Sequence, residues 1–326
     1  MKQSGFIFIL VAACLLAECV PIKNPANDPS LTERVILASG DYRYYVVTAW
    51  NGVPAYAGTI EIVDYAGESK DLIIPSEIDG KPVAAVAGIK NKMLNSVTFP
   101  GSVTLIRGAF ENCRLTRINI SEEGKPLTIH SSFNANQLTS ITIPARVVEL
   151  GQSFKENPLT SVTYMGSGIK SIVVGSLDKN SDWLFYSYML DKKPGTYEQR
   201  NNGVYFNGQP AIVPALVFED SGVFLEAVDG EVKPLMGTGA RLWVIHPGKH
   251  TLTLRYAMST VTGPNKATNV TSTGNTQFIG TFESGKRYKL KAVTRGMGAV
   301  GTIEYFAEEQ APRNNTGNVS QNNKKN

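Results

Sequence analysis

One short phrase, written four times between Leu94 and Tyr164, constrains this chain more than anything else in it. It reads Leu94-Asn-Ser-Val-Thr-Phe-Pro100, Leu115-Thr-Arg-Ile-Asn-Ile120, Leu138-Thr-Ser-Ile-Thr-Ile-Pro144 and Leu159-Thr-Ser-Val-Thr-Tyr164. The leading leucines stand 21, 23 and 21 residues apart, and Phe110, Phe133 and Phe154 trail the first three units. A fixed period of this length is the signature of a solenoid, because a unit so small cannot bury its own apolar side and stacks on copies of itself.

Within the phrase the first, fourth and sixth places are apolar, and Thr or Asn stands between the fourth and the sixth. That spacing predicts a short strand with one buried face. The second half of each unit supplies the opposite wall, through Val103, Ile106 and Phe110, then Leu127, Ile129 and Phe133, then Val147, Leu150 and Phe154. Pro100 and Pro144, with no N–H for a ladder, are expected to end their strands. The outward places of the phrase are Ser96 and Thr98, Arg117 and Asn119, Ser140 and Thr142, Ser161 and Thr163. They form a polar, nearly uncharged strip, which is either a contact surface or plain solvated strand.

These units resemble the leucine-rich repeats of the BspA-like (Treponema-type) family, which read approximately Leu-x-x-Ile-x-Ile-Pro-x-x-Val-x-x-Ile and close on Ala-Phe with Asn or Cys. Ala109-Phe110-Glu111-Asn112-Cys113 and Ser153-Phe154-Lys155-Glu156-Asn157 match that closing element. Ile60-Glu61-Ile62-Val63-Asp64-Tyr65-Ala66-Gly67 and Ile74-Pro75-Ser76-Glu77-Ile78-Asp79-Gly80-Lys81-Pro82-Val83 look like the family's first repeat, so the solenoid should begin near residue 57. The chain departs from the pattern at Ser121, which replaces a proline, and around Glu122-Glu123-Gly124, where one unit has extra residues. The pattern fades after Ile172. The resemblance covers about half the chain and implies adhesion to host or bacterial proteins; it implies no reaction.

The 326 residues leave room for more than the repeats, and the formal net charge of +4, with basic residues scattered, does not indicate nucleic acid. Met1-Lys2 precedes an apolar run from Phe6 to Ala17, too short to span a bilayer at roughly 20 residues and suited to a signal peptide. Val11-Ala12-Ala13-Cys14 resembles the bacterial lipobox, which makes Cys14 the lipidation site; the alternative is Cys19, preceded by Leu16-Ala17-Glu18. The expectation is therefore an exported protein, lipid-anchored to the outer membrane in the cell envelope. Cys113, the third cysteine, has no partner for a disulfide framework and reads as a small buried hydrophobe.

In order, residues 1–19 read as a lipoprotein signal region, 20–40 as a Pro- and Asn-rich tether and 41–209 as the repeat domain with its caps. The aromatic run Trp183 to Leu190 fits a C-terminal cap or a sugar-stacking cluster, and Lys193 to Gly208 resembles the hairpin that closes such arrays. Residues 210–306 contain short apolar segments between Gly, Pro, Asn and Asp turns, among them Ala211-Ile-Val213 and Leu252-Thr-Leu254, the pattern of a β-sandwich. The phrases Ile245-His-Pro-Gly-Lys-His250 and Phe282-Glu-Ser-Gly-Lys-Arg-Tyr288 look like hairpin turns of accessory β-domains in bacterial lipoproteins. Residues 307–326 read as a disordered polar tail. The fold class expected is mainly β, a leucine-rich-repeat solenoid followed by a β-sandwich.

Chemistry is hard to find in the sequence. Among the three histidines, His246 and His250 stand four apart across Pro247-Gly248, which breaks the helix that would align them on a metal; they read as an exposed turn, and His130 as a surface residue. No catalytic constellation, nucleotide fingerprint, cofactor or metal site is predicted. The expected function is non-enzymatic binding of a protein or glycan at the cell surface or in the envelope. The rival readings are a structural part of envelope or surface-layer assembly and, more remotely, a carbohydrate-active enzyme with a repeat targeting arm.

Overall fold

The computed structural model describes residues 35–48, 56–173, 182–201, 203–220, 222–232, 242–263, 266–271, 275–295 and 302–310. The chain is mainly β, with a single helix among the described residues.

The repeated units wind into a solenoid with two walls. One wall stacks Ile60–Tyr65, Lys81–Ala87, Leu105–Arg107, Leu127–His130, Val147–Gly151 and Ser171–Val173 in parallel without a break. The other carries the phrase strands, and each of the two prolines directly follows a strand end, at Phe99 and Ile143. This front wall divides in two: Asp71–Ile73, Ser96–Phe99 and Arg117–Ile120 form one parallel sheet, Ser140–Ile143 and Ser161–Tyr164 begin another. The break falls at the unit with extra residues. Its added corner folds onto the preceding one, where a Cβ on Gly124 would lie 2.3 Å from the Gly101 carbonyl oxygen, so only glycine fits. Arg146 fills this corner from the next coil, donating to the carbonyls of Ser121 (2.7 Å), Val103 (2.9 Å) and Lys125 (3.0 Å). Carbonyls left without strand partners are thus satisfied by one guanidinium.

Between the walls runs an aromatic column. Phe110, Phe133 and Phe154 stack with centroids 5.4 and 5.3 Å apart, and all three are buried. Each adopts a left-handed backbone, with φ of 59°, 62° and 64°, an uncommon conformation for a bulky residue. The turn is held by bonds between coils: the Phe133 N–H donates to Ala109 O at 2.9 Å and the Phe154 N–H to Ser132 O at 3.0 Å. Three residues after Phe133 and after Phe154 comes a buried asparagine that ties coils together. Asn136 Oδ1 accepts the N–H groups of Cys113 and Leu115, and its Nδ2 donates to Phe110 O at 2.7 Å. Asn157 repeats this toward Leu138 N and Phe133 O. Cys113 holds the equivalent place one coil earlier and is buried, as expected; burial pushes its thiol pKa up.

Both ends are capped. Leu37–Ser39 and Tyr42–Val46 pair antiparallel and extend the continuous wall past Ile60–Tyr65. Leu37–Ser39 is therefore strand, inside the stretch 20–40 expected to be tether. At the other end the aromatic run forms the helix Asp182–Asp191, whose Phe185, Tyr186 and Tyr188 are buried against the repeat core. Those rings pack the cap and are not open to a sugar. Gly195–Arg200 adds antiparallel to Ser161–Tyr164, and Gly203–Phe206 and Gln209–Pro210 follow.

Beyond the cap lie two sheets. One contains Leu242–Ile245, Ala215–Glu219, Arg287–Arg295 and Thr302–Glu309; the other contains Val223–Val228, the long strand Gly248–Gly263, Lys266–Thr271 and Thr276–Phe282. Ala215, Val217 and Trp243 of the first share a core with Leu225, Leu254 and Phe282 of the second. The expected strand at Ala211-Ile-Val213 is absent: no strand covers 211–214, and the next one starts at Ala215. The two Gly-Lys phrases are also not hairpin turns. Pro247-Gly248 passes from Leu242–Ile245 in one sheet to Gly248–Gly263 in the other, and Ser284-Gly285 returns from Phe282 to Arg287. Each joins strands that do not pair. The last strand runs on to Glu309, past the expected start of the tail at 307.

The first sheet uses both faces. Leu216 belongs to the repeat core, and Phe218, Leu242 and Val244 pack against it. The C-terminal sheets are thus seated on the capped end of the solenoid, because alternate residues of these strands are apolar on both sides.

Candidate functional site

The strands of the front wall carry the eight residues picked from the phrase. Arg117, Asn119, Ser140 and Thr142 are exposed, and Thr98, Ser161 and Thr163 are half-buried. Ser96 does not project as expected: it is 5% exposed, because its Oγ donates to Asp71 Oδ1 at 2.5 Å on the adjoining strand. The register aligns the side chains in two rows across the strands. Asp71, Ser96 and Arg117 stand level, as do Ile73, Thr98 and Asn119; beyond the break, Ser140 and Ser161 stand level with Glu198, and Thr142 and Thr163 with Thr196. Within the rows Asn119 Nδ2 donates to Thr98 Oγ1 at 3.2 Å, and the Thr163 and Thr196 hydroxyls lie 2.9 Å apart.

The structure adds residues that the phrase does not announce. The closing hairpin carries the same face onward through Thr196, Glu198 and Tyr205, which is level with Glu198. Arg200 lies over the Tyr205 ring at 4.3 Å and pairs with Glu198 at 2.7 Å. At the opposite end Ile73 is 68% exposed. The alternation in Gly195-Thr-Tyr-Glu-Gln-Arg200 was the signal for this continuation, because Tyr197 takes the buried parity and leaves Thr196 and Glu198 outside.

The remaining candidates fall elsewhere. His130 pairs with Glu149 on the continuous wall, and the two C-terminal histidines are not a simple exposed turn: His246 meets Asp191 at 3.1 Å and His250 meets Asp229 at 2.6 Å, the His250 side chain being only 13% exposed. Among the described residues no group of His, Cys, Asp and Glu is placed to hold a metal, and no helix is long and apolar enough to cross a membrane. Cys14 and Cys19 lie outside the described residues.

Two stacked β walls, coils of 21 to 23 residues and a column of phenylalanines define the repeat region as a leucine-rich-repeat solenoid. Residues 81–181 match the family model of the BspA type leucine rich repeat region, in six copies. Among solved structures the chain is similar to a leucine rich repeat protein of T. pallidum, with 24% identity, covering 44% of this chain and 78% of that one, at a TM-score of 0.30. It is also similar to a leucine rich cell surface protein from Faecalibacterium prausnitzii A2-165, with 16% identity, covering 59% of this chain and 65% of that one, at a TM-score of 0.22. No curated protein matches.

Proposed function

We propose that the protein is a non-enzymatic binding protein of the bacterial cell envelope, which engages a macromolecular partner, a protein or a glycan, through the front wall of its repeats. The observation that carries this reading is the wall itself: two level rows of mostly polar side chains, Ser, Thr and Asn with Arg117 among them, extended by the closing hairpin to Tyr205 and Arg200. A solenoid supplies an extended, fixed surface of this kind. Tyr and Arg are the residue types that most often anchor a contact. Anchoring through a lipidated Cys14, or Cys19, would hold this wall at a membrane; export rests on the apolar run from Phe6 to Ala17.

Two measurements test the reading. The chain freed of residues 1–19, immobilised and exposed to envelope and extracellular-matrix extracts, should capture a partner saturably and without turnover. Turnover of a glycan would favour the enzyme reading, and permanent co-purification with one envelope component the structural one. Mass analysis of the mature N-terminus should find an acylated cysteine; an unmodified start at or beyond Val20 ends the lipid proposal.

A further inference from the structure

The break in the front wall leaves apolar side chains open that the rest of the wall covers. In each phrase strand two side chains take the inward parity, and in three of the four strands they are buried: Val97 and Phe99, Ile141 and Ile143, Val162 and Tyr164. In Arg117–Ile120 the same places, Ile118 and Ile120, are only half-buried. The cause is a missing neighbour. No ladder joins this strand to Ser140–Ile143, whereas the back wall carries on through the same coils from Leu105–Arg107 to Leu127–His130 and Val147–Gly151.

The two lips of this seam are nonetheless held at both ends. Before the strands, the Gln137 N–H donates to Leu115 O at 2.9 Å, and Asn136 Oδ1 accepts the Leu115 N–H at 3.0 Å. After them, Arg146 on the later coil donates to Ser121 O at 2.7 Å on the earlier one. Between these ties each lip is a strand edge with no ladder partner across the seam. The seam is therefore a preformed slot with an aliphatic floor and main-chain donors and acceptors along its sides. It lies where the strip is most exposed, at Arg117, Asn119, Ser140 and Thr142. Its charges stand at opposite ends. Arg117 opens the strand and has no carboxylate paired to it among the described residues. Glu122 and Glu123 are exposed past the far end of the strand, which is roughly 10 Å long, and Lys125 is exposed two residues further on.

We propose that this seam is a docking slot for an extended polypeptide segment, which sets an apolar side chain on the Ile118 and Ile120 floor and an acidic one against Arg117. The inference rests on the reading of the front wall as the binding face and names the class of partner that face takes. Three features favour a peptide over a glycan. The unpaired edges offer alternating N–H and C=O groups, which an extended peptide matches with its own. The floor is aliphatic and ringed by polar residues, the arrangement in which a single inserted side chain gains most from losing its water. The lone cation at Arg117 calls for a carboxylate, and the Glu122-Glu123 end of the slot repels one, so the charges also fix which way the segment lies. A neutral glycan would meet the lips with hydroxyls but bring no side chain to cover two isoleucines.

The test uses the full chain and peptides selected on it from a random displayed library. Ile118→Cys should react with a water-soluble maleimide above the parent's own labelling, while Val97→Cys, the same place in the closed part of the wall, should not. Selected peptides should carry an apolar residue beside Asp or Glu and should shield Ile118→Cys from the reagent. Arg117→Glu should weaken them about tenfold, and exchanging the peptide's acid for Lys should restore binding to that variant. Because Arg117 is exposed, this charge swap stands even where a floor substitution disturbs the core. An Ile118→Cys no more reactive than Val97→Cys, a library that yields no binder, or peptides indifferent to Arg117→Glu each overturns the slot. The underlying reading fails differently. Capture from extracts that needs Arg117 and Thr142 but is destroyed by periodate and spared by protease keeps the front wall as the binding face and overturns the peptide slot; capture that needs neither residue removes the wall itself.

Discussion

The Phe110 and Phe133 rings lie 5.4 Å apart with planes only 7° from parallel, and Phe133 stacks in turn on Phe154 at 5.3 Å and 10°. The column goes on to Phe185 of the capping helix at 6.3 Å. One ring per coil thus links the first full repeat to the cap, and Phe133 has a neighbour on each face. Phe133→Ala should cost about 3 to 5 kcal/mol, since a fully buried aromatic is removed and the coils above and below are pinned by their own hydrogen bonds and cannot close the void. Phe133→Leu should lose less, because it keeps most of the apolar volume. Thermal unfolding of the two variants checks this; a midpoint unmoved by the alanine change would remove the column as a stabilising element.

Glu61 is 0% exposed although it points away from the repeat core. Arg107 reaches it from two strands away, with Nε donating to Oε1 at 2.9 Å and Nη2 to Oε2 at 3.1 Å, and the Tyr45 hydroxyl donates to the same carboxylate. The guanidinium can lie across the wall because the strand between carries Ala85 and Ala87. Arg107→Ala leaves a buried carboxylate without its cation and should destabilise by about 3 kcal/mol, the low end for a broken buried pair because Arg107 itself is partly exposed. Adding Glu61→Gln should restore a good part of that loss in a double-mutant cycle of denaturant midpoints. Equal losses in single and double variants would show that the pair does not couple.

The repeats were legible because their period, their apolar places and their prolines all report one local geometry, and the coils from Leu94 to Tyr164 follow it. The division of the front wall was half legible: Ser121 and Glu122-Glu123-Gly124 mark the disturbed unit, but nothing local in Arg146 says that its side chain closes that corner from a different coil. Ser96 departs from the pattern of its phrase for a related reason. Its parity is outward, and it is buried by Asp71, 25 residues away. At the C-terminal end, alternation located most of the strands but not their sheet membership. A Pro-Gly or Ser-Gly turn looks the same whether it reverses a hairpin or carries the chain from one sheet to the other, and only long-range pairing decides. The continuation of the candidate face to Tyr205 and Arg200 depends on Gly195–Arg200 joining Ser161–Tyr164, a pairing that the repeat pattern does not contain.

The C-terminal cap should open at alkaline pH. Burial pushes the phenols of Tyr188 and Tyr197 up from 10.0 to about 12, and burial also holds Tyr164, stacked on Tyr188 at 3.7 Å, well above the ordinary phenol range. A phenol whose folded value exceeds its unfolded one contributes stability that is complete below the unfolded value and is lost as pH rises through the folded one. The cap is therefore expected to hold below pH 10.0 and to loosen between there and about 12. Tyrosinate absorbance should show a group of phenols that ionise late and together with loss of structure, and Tyr188→Phe, which keeps the ring and removes the titrating hydroxyl, should move that loss to higher pH. Independent, early titration of every tyrosine would contradict this.

The front wall is tested by charge. Arg117 and Thr142 are exposed on the two sides of the break, and neither supports the core, so substitutions there should leave the thermal midpoint within about 0.5 kcal/mol of the parent. A partner seated on the wall meets both halves, and a reversed charge at Arg117 together with a new one at Thr142 places unpaired charges in its contact. Arg117→Glu with Thr142→Lys should therefore reduce partner capture at least tenfold with folding intact. Arg200→Ala, which uncovers Tyr205 and frees Glu198, should weaken capture by a smaller factor if the hairpin end belongs to the same contact. Lys249→Glu, exposed on the C-terminal sheets, should change nothing. Capture that survives the double substitution but falls with Lys249→Glu would move the binding site from the repeats to the sheets behind their cap.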